Sequence, residues 1–510
     1  MTTANQTIRF RITASMIGNV LRAAISVTTI MLIARWLGPK DYGRMAFLLG
    51  TFIAINGLLD LGSSAAFFTF ISKRHRSSRF VSLYWKWVAI QFLFALMVVG
   101  LLPDGTLSTI WQGESRLWIV LALIASFMQQ NVWPITYKMA EAQRETVKAQ
   151  KLFVLFTTIH LAVVLLLWNV GKLAVPILFV VTALEWGMAG WMASRIYQRN
   201  YQFNGLGKES SDSVANVFQE FWLYCLPCIP YAWAVFASQF ADRWMLQHFG
   251  GAEQQAYYGL AAHFSAISLI ATTSVLHVLW KEVAEANERG NDEKVQWLYQ
   301  RANRILFMFG VLISCFLIPW AKEIITLALG KEYVDGAPVM TIMFLYPVYQ
   351  TLGQINGTMF YAMEMTRPYV IINIVNMIIS IVTAYFLLAP ADAILPGLGL
   401  GSTGLALKMT AMGFVSVNFS IWWLARKKKW DYPMGYQLVN IAIFMLAGFA
   451  VYHATNMFIG ETVHVIIRGC IAGTAYIALA GMVLYRMPVL IGMNRNELIK
   501  YVHLAFAAVR

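Results

Sequence analysis

Apolar blocks about 20 residues long recur from one end of the 510-residue chain to the other, set apart by short segments of charged and turn-forming residues. A block of that length crosses a hydrocarbon layer roughly 30 Å thick as a helix. The pattern predicts helices near residues 13–34, 45–71, 83–102, 117–137, 152–170, 173–193, 221–241, 256–279, 305–320, 339–363, 368–388, 400–424, 434–452 and 465–485. Only helices fit, because a lipid-facing span must satisfy its own backbone hydrogen bonds and no alternating barrel pattern is visible. The expected fold is therefore an all-α integral membrane protein of about fourteen spans. Two blocks test that count. The ninth is short, with a mildly apolar extension from Ala321 to Leu329, and the fifth and sixth are parted only by the tight turn Gly171-Lys172.

Composition agrees with this reading and adds a direction. Hydrophobic residues make up 59% of the chain and charged residues 13%, about half the charged share of a soluble domain. A net charge of +14 raises the question of nucleic acid, but the basic residues sit between the apolar blocks. With both termini cytoplasmic, 28 of the 39 Lys and Arg fall on the inner side and eight on the outer, as the positive-inside rule requires. The excess charge thus reads as topology and contact with anionic lipid headgroups, with no nucleic-acid partner. The first block, Thr13 to Ala34, follows no small-residue cleavage site and is expected to act as its own insertion signal. Cys225, Cys228, Cys315 and Cys470 all lie in apolar blocks. The Cys225-Leu226-Pro227-Cys228 spacing lacks the second ligand pair or βαβ context of a zinc or redox site.

The chain also repeats. Arg35-Trp36-Leu37-Gly38, then Tyr42-Gly43, follows the first span; Arg243-Trp244-Met245, then Phe249-Gly250-Gly251 and Tyr258-Gly259, follows the seventh. The seventh span restarts what the first began, so two six-helix lobes (1–200 and 201–430) are expected, with two extra helices and a cytoplasmic tail at 431–510. The interval from Gly250 to Tyr258 is longer than its counterpart, which leaves the register of that loop open.

At Ala34-Arg35-Trp36-Leu37-Gly38-Pro39 to Tyr42-Gly43, followed by Leu59-Asp60-Leu61-Gly62, the chain resembles the polysaccharide transporter family of the multidrug/oligosaccharidyl-lipid/polysaccharide (MOP) exporter superfamily. Asp242-Arg243-Trp244-Met245 with Tyr258-Gly259 is similar to the matching segment of that family's second lobe. The resemblance implies an inner-membrane flippase of the O-antigen or capsule type. It would work by alternating access of two six-helix bundles on an undecaprenyl-diphosphate-linked oligosaccharide. It would be coupled to a proton or sodium ion and serve polysaccharide polymerase or export machinery. Two extra C-terminal helices also occur in lipid II flippases.

Ionisable groups inside spans are site candidates by default, because lipid does not solvate them. Arg22 lies near the middle of the first span on a face with Ser15, Asn19, Ser26 and Thr29. A guanidinium there suits a diphosphate through paired hydrogen bonds; the alternative is an Arg satisfied by Asp60 or a carbonyl. Arg243, Lys408 and Tyr231 complete the candidate substrate set. Lys408 either snorkels or faces the cavity, and Arg468 reads as a snorkelling anchor. In the seventh span Tyr224, Tyr231 and Ser238 recur every seven residues towards Asp242, and Pro227 and Pro230 predict a kink, gating or static. Asp60 and Glu185 are the most deeply placed carboxylates and the candidates for ion coupling. His160, His263 and His277 have no metal-site spacing and read as satisfied polar groups. Lys281 to Arg304 reads as an amphipathic cytoplasmic helix joining the lobes. The Gly397, Gly399, Gly401 and Gly404 series lacks a GK[ST] ending and reads as close packing.

Two rival functions remain in view. A cation-coupled multidrug antiporter of the same superfamily would favour carboxylates and aromatics over Arg22, Arg243 and Lys408. A membrane-embedded glycosyltransferase would need carboxylate or His clusters in large outer loops, and segments 103–116 and 321–338 supply no His. The expectation is a transporter, not an enzyme, with no cofactor.

Overall fold

The computed structural model describes residues 3–73, 76–143, 145–203, 213–266, 270–430, 434–460, 463–493 and 496–497. These are helical almost throughout. α1 runs Thr3–Asp60 and is broken at Gly38, where φ is 75° and ψ 169°. Glycine alone adopts that backbone region readily, so α1 is two spans joined at one residue, and Pro39 opens the second where a missing N–H costs nothing. α2 (Ser63–Lys73) prolongs the second span after a turn at Leu61 and Gly62. α3 (Ser78–Leu101) is followed by the short α4 (Asp104–Ile110). α5 (Arg116–Phe127) and α6 (Trp133–Ala142) form one span through a π-helical turn, Met128–Val132. α7 (Thr146–Asn169) and α8 (Val175–Phe203) make the predicted hairpin, turned at Gly171 with φ 70°.

The seventh span is α9 (Val214–Cys225), a 3-10 turn at Leu226–Cys228, and the first part of α10 (Ile229–Ala266). Both prolines stand in first-turn positions of new helical segments, so each marks a restart of the helix. α10 breaks at Gly251, φ 81° and ψ −175°, nearly the conformation of Gly38. The repeat is therefore real in the backbone, but its register differs from the sequence expectation. Gly251, not Gly250, matches Gly38, and the Arg-Trp pair begins eight residues before the break in the second copy and three before it in the first. Gln255-Ala256 thus takes the place of Tyr42-Gly43.

α11 (Ile270–Glu288) and α12 (Asp292–Leu317) meet at a corner, Arg289–Asn291. The expected separate amphipathic helix over Lys281–Arg304 is instead the abutting ends of these two helices. Its apolar stripe (Val283, Ala286, Val295, Tyr299) is buried, each at 2% exposure or less, so it is a packed core and not a lipid-surface face. A 3-10 turn at Ile318–Trp320 carries α12 into α13 (Ala321–Ala328), so the short ninth block is a full-length span. The remaining helices are α14 (Ala337–Met343), α15 (Tyr346–Ala362), α16 (Thr366–Leu388), α17 (Gly401–Lys428), α18 (Gly435–Ile459) and α19 (Val465–Arg486).

Among the described residues, eleven continuous helical stretches are long and apolar enough to cross a membrane. Two of them, Ile17–Asp60 and Val214–Ala266, each contain two passes joined at Gly38 and Gly251. α14 with α15, too interrupted to register as one stretch, completes the fourteen.

By packing, the chain forms two compact units. The first is Met1–Ala256 with Ala384–Gly401, and the second is Tyr257–Thr383 with Ser402–Arg510. The seventh span, where the sequence repeat restarts, packs within the first unit. In the second unit, α18 and α19 are integral. Gly448 approaches α12 so closely that a Cβ would lie 2.2 Å from the Cys315 carbonyl oxygen, and Phe316 packs on Tyr476 with ring centroids 5.4 Å apart.

Candidate substrate and coupling sites

In the first unit, α1 and α7 lie side by side and parallel. Asn19 Oδ1 accepts from Gln150 Nε2 (2.8 Å), the Arg22 guanidinium carbon sits 4.5 Å from the Phe153 ring centre, and Trp36 stacks on Trp168 at 4.6 Å. The sequence offset is 131 or 132 residues at all three contacts, which only parallel helices in register produce. Arg22 is thus held by an aromatic face, and its Nε is buried with no partner. A desolvated cation–π contact contributes about 2 kcal/mol, whereas a central arginine in a membrane helix costs about 2.5–3.5 kcal/mol. The ring alone does not offset the burial. Ser15, the first member of the predicted polar stripe, lies outside the residues whose side chains are described, as does His277.

Asp60 does not pair with Arg22. Its Oδ1 accepts from the Ser63 hydroxyl (3.0 Å) and the Ser64 amide (2.9 Å), and its Oδ2 from the Ser64 hydroxyl (3.0 Å). The carboxylate caps α2, whose first amides lose their partners where the backbone turns at Leu61 (φ 47°) and Gly62 (φ 83°). Gln91 of α3 donates to the Leu59 carbonyl (2.6 Å), satisfying the other side of the same break. Facing it is the 3-10 turn of the seventh span, with Cys228 Cβ 3.5 Å from where a Gly62 Cβ would be. Two interrupted helices therefore meet at their interruptions, an arrangement tolerated in membranes only where the irregular backbone is covered or lines a cavity.

The seventh span is anchored to the first unit along its length. Arg76 Nη2 donates to Glu220 Oε1 (2.6 Å), and Phe221 stacks on Phe80 and Tyr84 and meets Phe70 edge-on. Tyr231 is 36% exposed and Asp242 is half-buried. The Tyr224, Tyr231, Ser238 stripe crosses the 3-10 turn, whose three-residue period shifts the register between Tyr224 and the other two. Arg243 Nη1 donates to Gln255 Oε1 (3.3 Å), and Gln255 Nε2 donates back to the Arg243 carbonyl. Gln255, fully buried, so clips the two sides of the Gly251 break together; this role of Arg243 had no sequence signal beyond the repeat. Trp244 Nε1 donates to the Thr109 carbonyl (3.3 Å).

Glu185 is 7% exposed, and its Oε2 lies 2.6 Å from His160 Nδ1. His160 is indeed a partnered polar group, but its partner is one of the two coupling candidates, a pairing between α7 and α8 that neither sequence position announces. In the second unit, Lys408 is 1% exposed. It lies in a tightly packed stretch of α17 with Ser402, Gly404, Leu405 and Ala406, so it neither snorkels nor opens to a cavity here. Arg468 is also buried, at 8%, with Nη1 donating to Asn456 Oδ1 (2.7 Å). It joins α19 to α18 and is not a snorkelling anchor. Near α17, a Cβ on Gly397 would lie 2.3 Å from the Ala389 carbonyl oxygen, which supports the packing explanation of that glycine series.

Residues 227–386 match the MatE family. No curated protein sequence matches the chain. Among solved structures, the lipid II flippase MurJ in its inward closed conformation superposes with a TM-score of 0.69 at 14% identity, covering 93% of this chain and 99% of its own. An inward-facing multidrug resistance MATE family transporter of the MOP superfamily gives 0.58 at 13% identity, over 80% of this chain and 96% of its own. A MOP superfamily transporter from Pyrococcus furiosus Vc1 (DSM3638) gives 0.55 at 13% identity, over 82% and 95%. The chain therefore has the fold shared by a lipid II flippase and MATE transporters of the MOP superfamily, with the sequence pattern of the MatE family over residues 227–386.

Proposed function

We propose that this chain is a transporter of the MOP superfamily, not an enzyme, and that it flips an undecaprenyl-diphosphate-linked oligosaccharide across the inner membrane for polysaccharide assembly. Arg22 carries the reading. It is a cation inside a span, with a buried unpartnered Nε, and the carboxylate that would have neutralised it is committed to capping α2. Such a group suits an anionic cargo, and a diphosphate offers oxygens for its fork of donors. The extent of the fold likeness supports the same reading. The lipid II flippase matches 93% of the chain and the MATE transporter 80%. Lobe limits of 1–200 and 201–430, with 431–510 appended, follow the repeat. Arg243 and Tyr231 are assigned to the same cargo, and polymerase or export machinery is the expected partner.

The alternative, a cation-coupled multidrug antiporter, draws on the MatE match. The test is charge at position 22, read as surface glycan in cells that depend on this chain. Arg22→Ala should abolish export with protein abundance unchanged, Arg22→Lys should restore part of it, and Arg22→Glu should be worse than Ala. Losing a charge-assisted hydrogen bond weakens binding by about 1.5–3 kcal/mol, roughly ten- to a hundredfold. Wild-type export from Arg22→Glu would return weight to the antiporter.

A further inference from the structure

The α7–α8 hairpin holds an ionisable pair that the cargo reading leaves without a task. His160 is nine residues from the Asn169 end of α7 and Glu185 ten from the Val175 start of α8. At 1.5 Å per residue, both lie about 14–15 Å from the hairpin end, near the middle of a hydrocarbon layer about 30 Å thick. Nδ1 and Oε2 are 2.6 Å apart, and the two side chains are 19% and 10% exposed. The second carboxylate oxygen, Oε1, is buried with no partner. A fully ionised carboxylate accepting one hydrogen bond and otherwise unsolvated is costly at this depth.

The surroundings do not neutralise it. On α1, the residue in register with His160 is Thr29, whose hydroxyl donates to the Ile25 carbonyl. On α5 and its π-helical continuation the level is fixed by close contacts: Cβ atoms at Gly187 and Gly190 would approach Met128 Sδ to 3.7 Å and Val132 Cγ1 to 2.4 Å. Glu185 is therefore level with Ser126 and Phe127. Ser126 is taken by Asn56 Nδ2 (2.9 Å), and Asn56 Oδ1 is a second buried acceptor without a donor. Phe92 of α3 packs on Phe127 at 4.9 Å. The nearest charges on these elements are Asp60, Arg35 and Arg22 on α1, with Asp60 four residues past Asn56 and held by Ser63 and Ser64, then Lys86 on α3, Arg116 on α5, Lys138 on α6 and Lys151 on α7. Tyr84 and Tyr137 are the nearest other titratable groups. Asp60 lies about 6 Å along its helix from this level, and its charge is negative like that of Glu185; the others lie at least six residues away, about 9 Å or more. Between Arg22 and Glu185 stand two rings: Arg22 lies on Phe153, and Phe153 meets the Trp186 ring edge-on at 5.4 Å.

We propose that His160 and Glu185 form one proton-binding site, and that its occupancy drives the export step; the second half of this statement rests on the transporter reading above. Empty, the pair is a carboxylate beside a neutral imidazole, with net charge −1. Loaded with one proton from water, it is neutral overall, either as carboxyl and imidazole or as carboxylate and imidazolium, and no other bond changes. The proton places a donor in a layer where two buried acceptors, Glu185 Oε1 and Asn56 Oδ1, have no partner. Arg22 lies seven residues along α1 from this level, about 10 Å, so the proton site and the cargo cation stay separate while each senses the other's charge through a poorly screening interior.

Infrared difference spectra of the purified protein in nanodiscs, recorded between alkaline and acid pH, test the site without any cargo. One carboxyl/carboxylate component, set apart from that of the exposed acids, should be present in the wild type, missing from Glu185→Gln, retained in Glu185→Asp, and moved in its midpoint by about a pH unit or more in His160→Gln, a tenfold change in proton affinity. Spectra in which Glu185→Gln loses nothing, or His160→Gln shifts nothing, overturn the site. In proteoliposomes, export driven by an imposed pH gradient should lose that dependence in Glu185→Gln, and a variant still driven like wild type overturns the coupling. Failure of the wild type to move any lipid-linked saccharide would sink the cargo reading alone, because the infrared result does not depend on it.

Discussion

Arg22 and Asp60 were natural partners on paper, an opposite pair in neighbouring spans. The backbone separates their roles. Once the second span turns at Leu61-Gly62, the amides that open α2 need an acceptor more than Arg22 does, and Asp60 is the residue next to them. This predicts an asymmetry at position 60. Asn is as good a helix cap as Asp, so Asp60→Asn should keep both thermal stability and export, while Asp60→Ala should lose about 0.5–2 kcal/mol of stability. An Asp60→Asn protein that is stable but inactive would show that the negative charge itself does the work, and would make Asp60 an ion site. Arg468 follows the same logic in the second unit: buried against Asn456, it should cost stability on replacement by Ala, measured as a lower unfolding temperature in detergent, where a snorkelling residue would cost nothing.

At the scale of elements, the decisive features are the two glycine breaks and their contact. Gly43, five residues after the first break, lies against the second, where a Cβ would come within 1.7 Å of the Ala252 carbonyl oxygen. No rotamer relieves a clash with backbone, so Gly43→Ala must push the two helices apart. It should lower the unfolding temperature and block export. Gly251→Ala and Gly38→Ala should each cost about 1–3 kcal/mol through backbone strain alone. Gly57→Ala is the control, since nothing lies within 4 Å of its added methyl, and it should behave as wild type. A Gly43→Ala protein as stable as that control would mean the breaks do not pack as described.

For the whole molecule, the appended helices are the clearest case. α18 and α19 are tied into the rest of the second unit by the Tyr452 hydroxyl donating to Glu323 Oε1, by Tyr436 meeting Phe307 edge-on at 5.4 Å, and by the Gly448–Cys315 approach. A chain truncated after Trp430 should therefore be poorly folded and fall in abundance, not merely lose activity; unchanged unfolding temperature would mark the pair as dispensable. The direction of the whole chain is testable by cysteine labelling in intact cells. Lys73 to Arg79 and Arg426 to Lys429 should be protected, and Pro103 to Glu114 should react.

The positions of the spans were legible because hydrocarbon imposes one requirement, length and apolarity, that each block meets on its own. The broken repeat was legible for the same local reason, since Gly38-Pro39 and Gly250-Gly251 interrupt helices by their own backbone preferences. Its register was not: the choice of Gly251 over Gly250 depends on Gln255 reaching back to Arg243 and on Gly43 packing at Ala252. Side-chain partners were decided by tertiary structure throughout. Asp60 serves a helix end that exists only because the chain turns at Leu61-Gly62, and Lys408 and Arg468 are enclosed by helices that hydropathy cannot orient. His160 finds Glu185 because the short link of residues 170–174 folds α8 back along α7. A charge inside a span announces itself in sequence because lipid cannot solvate it, but which group answers it is set by the rotation and depth of neighbouring helices, and only packing fixes those.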